Sequence, residues 1–192
     1  MHYHFALHKP YGYLSQFVHQ HKRRKNMKML GELNDFPKGT MSIGRLDYDS
    51  EGLLLLTTDG MVSFNILSKK VEKEYFVQVD GIINEAAIKQ LIDGVDISVN
   101  GKLYKTLHCS VKLLATPDNL PNRTKKIRGD HHGPTSWVSI TIREGKNRQV
   151  RKMTAAVGFP TLRLIRVRIG PIKLGLLSSG KVRDLDIDCF GF

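Results

Sequence analysis

The sequence predicts an α+β fold, because strand patterns are frequent, helix patterns are few, and the two do not alternate strictly. Apolar and polar residues alternate in several short stretches, at residues 3–7, 75–79 and 137–143. Such alternation is typical of antiparallel strands with one face covered. We therefore expect a mixed, largely antiparallel central sheet with flanking helices.

Three helices are predicted, each with a capping residue or a glycine at an end. They cover residues 60–67 after Asp59, 85–92 between Asn84 and Gly94, and about 147–157 before Gly158. In the third helix the three-and-four spacing places Arg148, Arg151 and Lys152 on one side, and its first turn offers free N–H groups to a phosphate. An ordinary surface helix with one basic face is the alternative interpretation.

The segment GRLDYDSEGLLLLTTDG, residues 44–60, contains the most informative acidic residue. Residues 41–46 read as a short strand, so Asp47 is expected where this strand opens into a loop. Residues 49–52 are polar turn formers ahead of the apolar run 53–56. An aspartate in this place is usually a turn former, but loops at strand ends often carry chemistry. Asp47 is therefore a candidate site residue.

The balance of charge favours an anionic partner. The 192 residues include 30 Lys and Arg against 18 Asp and Glu, a formal net charge of +12. Nucleic acid is the first candidate, because a basic surface gains affinity by displacing the counterions on phosphates. A membrane surface is less well supported, since the basic residues do not form a long amphipathic helix.

Residues 116–135 form the most polar stretch, with three prolines and almost no apolar residues. Its basic residues include Arg123, Lys125, Lys126 and Arg128. A solvated linker is one interpretation. Because the stretch interrupts two strand patterns rather than joining two domains, a loop that contacts RNA is at least as well supported.

Cysteine and histidine usage favours a cytoplasmic protein without metal. Cys109 and Cys189 are too few for a disulfide framework. The N-terminus lacks a signal-peptide pattern, and no apolar run approaches the roughly 20 residues that span a bilayer. Close histidine pairs occur at 2/4, 19/21 and 131/132, but no cysteine or carboxylate accompanies them at zinc spacing.

Taken together, these segments resemble the pseudouridine synthases, in the branch that modifies ribosomal RNA. Residues 44–60 resemble the catalytic motif, and residues 144–166 resemble the third block of the family. His8-Lys9-Pro10-Tyr11-Gly12 is similar to the family's Asn-Lys-Pro-x-Gly, and Lys73-Glu74-Tyr75 is similar to its Lys-x-Tyr. The departures are His8 in place of Asn and Tyr48 where Arg is frequent.

The resemblance covers residues 5–170 and implies the pseudouridine synthase fold with a catalytic cleft. It implies a single catalytic domain over residues 1–192, with two lobes at about 1–72 and 73–192 and without the S4 RNA-binding domain of most relatives. PTSW at 134–137 and GFPTLRLIR at 158–166 look most like the members that modify 23S rRNA. The expected substrate is therefore one uridine in its peptidyl-transferase domain.

The resemblance also implies the role of each site residue. Asp47 would be the catalytic nucleophile or base, Arg151 would pair with it, and Tyr75 would stack on the flipped base. Arg45 would fill the gap that the flipped uridine leaves. The expected phosphate contacts are Lys9, Lys73, Lys146, Arg148, Arg123, Lys125, Lys126 and Arg128.

The implied reaction detaches uracil from its ribose, turns the ring and rejoins it through C5. No redox step occurs, so no cofactor is expected, and no dinucleotide or P-loop motif is present. An rRNA-binding assembly factor without catalysis is the main alternative, against which the complete trio of Asp47, Tyr75 and Arg151 argues. A nucleoside hydrolase would not need so basic a surface. A monomer is expected.

Overall fold

A computed structural model describes residues 1–18, 27–68, 71–118, 120, 123, 125–127 and 132–191 of the chain. The α+β prediction is confirmed, since the described residues form many strands and three α-helices. The strands are β1 (His4–Lys9), β2 (Tyr13–Leu14), β3 (Lys28–Met29), β4 (Met41–Ser42), β5 (Glu51–Thr57), β6 (Lys73–Asp80), β7 (Asp96–Val99), β8 (Lys102–Lys105), β9 (Ser110–Leu114), β10 (Thr135–Ile142), β11 (Thr161–Ile169), β12 (Ile172–Lys173) and β13 (Val182–Asp184). The helices are α1 (Gly60–Ser68), α2 (Glu85–Asp93) and α3 (Gln149–Ala156).

The chain divides into two compact units. The first contains Met1–Val71, Pro121–Thr124 and Arg166–Phe192, and the second contains Glu72–Leu120 and Lys125–Ile165. The sequence prediction placed everything after residue 72 in one lobe, whereas the C-terminal part folds with the first unit. The reason is β13, which adds to the edge of β1 in antiparallel register.

The core of the first unit is built on β5, which lies between β1 and β11. All seven residues of β5 and all six of β1 are buried. The strand pattern predicted at residues 3–7 is confirmed, but β1 is covered on both faces, not on one as the alternation suggested. The four leucines 53–56 each contribute about 2 kcal/mol by leaving water.

In the second unit β10 lies between β6 and β9, and residues 161–165 of β11 belong to the same unit. β6 and β10 pair antiparallel along their whole length, from Lys73 opposite Ile142 to Asp80 opposite Thr135. Burial in β6 alternates as predicted, with Tyr75, Val77 and Val79 turned inward. The described residues between β9 and β10 form no strand, in agreement with the predicted loop.

Local capping explains two of the helices as predicted. The carboxylate of Asp59 accepts from the N–H of Met61 at 2.8 Å at the start of α1, and the Asn84 side chain accepts from the N–H of Ala87 at 2.9 Å in α2. Within the described part of the chain, no helix is long and apolar enough to cross a membrane.

The third helix begins two residues later than predicted. Arg148 has a φ of 52°, in the left-handed region that costs a non-glycine residue about 1 kcal/mol. It therefore precedes α3 and does not share a helical face with Arg151 and Lys152. The prediction that the three form one helical face is wrong, because the chain turns at residue 148 before the helix starts.

Candidate functional site

Asp47 lies in the turn before β5, with the backbone fixed on both sides. The Ser15 hydroxyl donates to the Leu46 carbonyl oxygen at 2.8 Å and accepts from the Leu46 N–H at 3.0 Å. After Asp47, the N–H of Ser50 donates to the Asp47 carbonyl oxygen at 3.1 Å. Asp47 is half-buried, while Arg45 is exposed. The backbone on both sides of the half-buried Asp47 is thus held in place, and the exposed Arg45 precedes it by two residues.

The polar turn predicted at 49–52 is shorter than expected. Glu51 and Gly52 already belong to β5, and Ser50 and Glu51 are buried. The Glu51 carboxylate lies 3.6 Å from Nε of Arg123, whose side chain is 10% exposed. A buried carboxylate needs such a partner, because desolvation of an isolated charge is costly.

Lys9 is fully buried, which contradicts its predicted role as a phosphate contact. Its ammonium donates to the carbonyl oxygens of Pro10 at 2.9 Å and Tyr13 at 2.8 Å. Burial lowers the pKa of Lys9 to about 7, while the nearby carboxylates of Glu51, Asp49 and Asp47 raise the pKa, in that order of effect. Lys9 therefore holds the loop after β1 and interacts electrostatically with the acids of the Asp47 turn.

The stability of the protein should reflect this lowered pKa. Between about pH 7 and the ordinary lysine value of 10.5, only the unfolded chain binds the proton, so the free energy of unfolding rises with pH. Across pH 7–9 we expect the wild type to gain up to about 1.4 kcal/mol per pH unit relative to Lys9→Met. Urea unfolding of both proteins measures this difference. A difference that stays constant over this range would contradict a lowered pKa at Lys9.

An aromatic cluster lies beside the same turn. The Arg123 guanidinium stacks over the Tyr11 ring at 3.9 Å from its centroid, and the rings of Tyr11 and Tyr48 lie 6.1 Å apart. The N–H of Gly12 donates to the Tyr48 carbonyl oxygen at 2.9 Å. Arg123 is thus engaged with side chains of the protein, and its assignment to RNA stays a prediction. This cluster was not predicted from the sequence, although Tyr48 is a departure from the family pattern.

The other basic residues of the loop before β10 differ from Arg123 in exposure. Lys125 and Lys126 are exposed. Arg128 lies outside the described residues. The exposure of Lys125 and Lys126 is consistent with their predicted role as phosphate contacts.

In the second unit, β6 carries Lys73 and Tyr75. Lys73 is half-buried at the start of the strand, and Tyr75 is buried opposite Ile140 of β10. Arg151 lies in the first turn of α3 and is half-buried. Val150 and Met153 bury their side chains and anchor this helix. The pairing of Arg151 with Asp47 and the stacking of Tyr75 on a base stay predictions.

The turn before α3 is held by the Glu144 carboxylate. Oε2 of Glu144 accepts from the Tyr104 hydroxyl at 2.5 Å, and Oε1 accepts from the Leu107 N–H at 2.9 Å and from Nε2 of Gln149 at 2.5 Å. The Gln149 side chain in turn accepts from the Lys146 N–H at 2.9 Å. This network was not predicted from the sequence, since only the contact between residues 146 and 149 follows from spacing along the chain.

The basic residues around this turn serve two purposes. Lys146 and Arg148 are exposed, as phosphate contacts require. Nζ of Lys146 lies 4.8 Å from the centroid of the Tyr104 ring. Nζ of Lys152 instead donates to the Ser98 carbonyl oxygen at 2.7 Å and so ties α3 to β7. In the described ranges, no three His, Cys, Asp or Glu residues are placed to hold a metal ion.

Comparison with known proteins gives a consistent result. The family described as RNA pseudouridylate synthase matches residues 3–156 of the chain. A Vibrio parahaemolyticus protein named ribosomal large subunit pseudouridine synthase E is 40% identical over 183 residues, covering 93% of this chain and 72% of its own length. A protein of the same name from Xanthomonas campestris is 41% identical over 179 residues, with 92% of each chain covered. A crystal structure of a pseudouridylate synthase matches all of this chain and 73% of its own, with a TM-score of 0.76 at 28% identity.

Proposed function

Because this chain has the fold of the RNA pseudouridylate synthases and belongs to that family, we propose that it isomerises one uridine of 23S rRNA, in the peptidyl-transferase domain, to pseudouridine. The choice of substrate rests on the match, over more than nine-tenths of the chain, to two proteins named for the large ribosomal subunit. The net charge of +12 supports an RNA substrate. We place the enzyme in the cytoplasm, as a monomer.

We propose Asp47 as the catalytic carboxylate. It would act either by attack on C1′ of the ribose or by starting an elimination at C2′, and in both routes the group must be ionised and held in place. The hydrogen bonds at Leu46 and Ser50 support the second requirement. The resemblance to the family supports the first, through a charge-assisted pair between Asp47 and Arg151. No cofactor takes part.

Two further side chains would bind the flipped base and fill the gap that it leaves in the RNA. Tyr75 would stack on the flipped uracil, because an aromatic face binds a base without depending on its hydrogen-bonding edge. Arg45 would enter the stack in place of the uridine, and its exposure two residues before Asp47 supports this role. Flipping costs a few kcal/mol, which a replacement side chain partly offsets.

The RNA backbone would be bound mainly by exposed basic residues of the second unit. We assign Lys125, Lys126, Lys146 and Arg148 to it, with half-buried Lys73 and with Arg123 on the evidence of the resemblance alone. Lys9 is left out because it is buried.

Affinity for RNA should therefore fall steeply with salt. About five contacts to a partly single-stranded substrate predict a slope of roughly −3 to −4 in a plot of log K against log salt. Lys146→Ala should make this slope shallower by about 0.7. As a matched control, Lys89→Ala should leave it unchanged, because Lys89 is paired with Asp93 at 2.8 Å on α2. A salt-independent affinity of the wild type would contradict the phosphate contacts.

The substrate is tested by tritium release. Rejoining uracil through C5 displaces the C5 hydrogen, so transcripts labelled with tritium at C5 of uridine release the label as pseudouridine forms. We expect release from a 23S transcript, close to one equivalent per molecule, and none from a 16S transcript. Release of tritium from the 16S transcript alone would show that the substrate is the rRNA of the small subunit. Absence of release from both, and from large-subunit assembly intermediates, would favour the assembly factor.

A further inference from the structure

The turn before α3 contains an unfavourable backbone conformation at an exposed basic residue. Arg148 is left-handed, with φ 52° and ψ 34°, although it is not a glycine, asparagine or aspartate. Such a conformation persists only when its surroundings determine it, and it is often found at active sites and ligand-binding sites. What determines the conformation of Arg148 is therefore informative about function.

Glu144 and Gln149 lie at the two ends of this turn, and their side chains are hydrogen-bonded to each other. The Gln149 side chain bridges the turn, since its oxygen accepts from the Lys146 N–H and its amide donates to Glu144. The backbone adds a bond from the Gln149 N–H to the Lys146 carbonyl oxygen at 3.1 Å. Gln149 is buried, so these bonds form with little competition from water. The turn is thereby tied to the Glu144 carboxylate.

Tyr104 links the same carboxylate to the side chain of Lys146. Its hydroxyl donates to Glu144, which also raises the pKa of Tyr104. The face of its ring lies under the Lys146 ammonium. The Glu144 carboxylate thus orients two side chains. One is the Tyr104 ring, which contacts Lys146, and the other is the Gln149 amide, which bridges the turn before Arg148.

We infer that Glu144 is a positioning residue for the RNA substrate, acting through Gln149 and Tyr104 to fix Lys146 and Arg148 for contact with the RNA backbone. This inference rests on the proposed function, which supplies the contacts of Lys146 and Arg148. A negative charge near a phosphate weakens binding by itself. Glu144 therefore helps RNA binding because it positions Lys146 and Arg148, although its own negative charge repels the phosphates.

The helix that follows does not depend on Glu144 alone. Val150 and Met153 are buried, and Lys152 ties α3 to Ser98. Loss of the carboxylate should loosen the turn while α3 and Arg151 stay in place. The Michaelis constant should then change more than the turnover number.

The test compares variants with the same charge change. Glu144→Ala should raise the Michaelis constant for 23S transcript about tenfold, with the turnover number within about twofold of wild type. Glu144→Gln should stay within about threefold, because its oxygen can still accept from Leu107 and Gln149 and the Tyr104 hydroxyl can turn to accept. Asp93→Ala, which removes an exposed carboxylate of the same unit, should not raise the constant.

A second variant and a second readout decide the inference if Glu144→Ala does not fold. Tyr104→Phe keeps the ring and removes only the hydroxyl, and should weaken binding about threefold. The dissociation constant of a fluorescent 23S fragment is measured for every variant, so that the result does not depend on turnover. Unchanged affinity in Tyr104→Phe, or equal affinities of wild type and a folded Glu144→Ala, would overturn the inference. Inactive wild type with weakened Glu144→Ala binding would overturn the proposed function alone.

Discussion

Asp47→Asn should abolish pseudouridine formation while the protein stays folded and bound to RNA. The amide has the size of the carboxylate but cannot act as nucleophile or base, so we expect the turnover number to fall by at least about 10³. The dissociation constant for 23S fragments should change less than about threefold, because Asp47 supplies no phosphate contact. Tritium release and fluorescence anisotropy measure the two quantities.

The matched control for this variant is Asp49→Asn. Asp49 lies in the same turn and close to the same lysine, so its removal changes the charge and the local field in a similar way. We expect it to keep most of the turnover. Loss of turnover in Asp49→Asn but not in Asp47→Asn would show that Asp49, and not Asp47, is the catalytic carboxylate.

Gly52→Ala should destabilise the first unit severely. Gly52 lies in β5 with a φ of 104°, and a Cβ there would be 2.3 Å from the carbonyl oxygen of Arg166 and 2.7 Å from its nitrogen. These atoms belong to the backbone of the neighbouring strand β11 and cannot turn aside as a side chain would. We expect a loss of about 4 kcal/mol or more, a large share of the 5–15 kcal/mol that stabilises a typical domain.

The control separates the clash from the backbone angle. Gly39 also has a positive φ, 89°, but a Cβ there would meet no atom within 4 Å. Gly39→Ala should therefore cost only about 1 kcal/mol. Urea unfolding of both variants gives the comparison, and equal losses would show that contact with Arg166 is not what requires glycine at residue 52.

The parts of the fold that follow from short-range chemistry were predictable. Asp59 and Asn84 cap α1 and α2 through atoms two or three residues away, so the sequence alone locates both helices. The alternation in β6 likewise reflects one covered face. Asn100-Gly101 is a further local signal, because both residues have positive φ and together they close the hairpin of β7 and β8.

The errors concern features that distant residues decide. Lysine is usually a surface residue, but Lys9 is buried, and the carboxylates that act on its pKa belong to Glu51 and the Asp47 turn, some forty residues later. The start of α3 depends on Gln149 reaching Glu144, which in turn contacts Tyr104. No periodicity in the sequence reports such contacts. The motif around Asp47, by contrast, is contiguous, so its resemblance to the family was readable before the fold was known.

If the proposed function is right, Asp47 of this chain catalyses the isomerisation of one uridine of 23S rRNA. The most direct measurement is pseudouridine mapping of unmodified 23S rRNA by carbodiimide modification and primer extension, after incubation with wild type or Asp47→Asn. We expect one new stop, in the peptidyl-transferase domain, that appears with wild type and not with the variant. The same stop with both proteins would contradict the role of Asp47, and no stop on either naked rRNA or assembly intermediates would contradict the proposed activity.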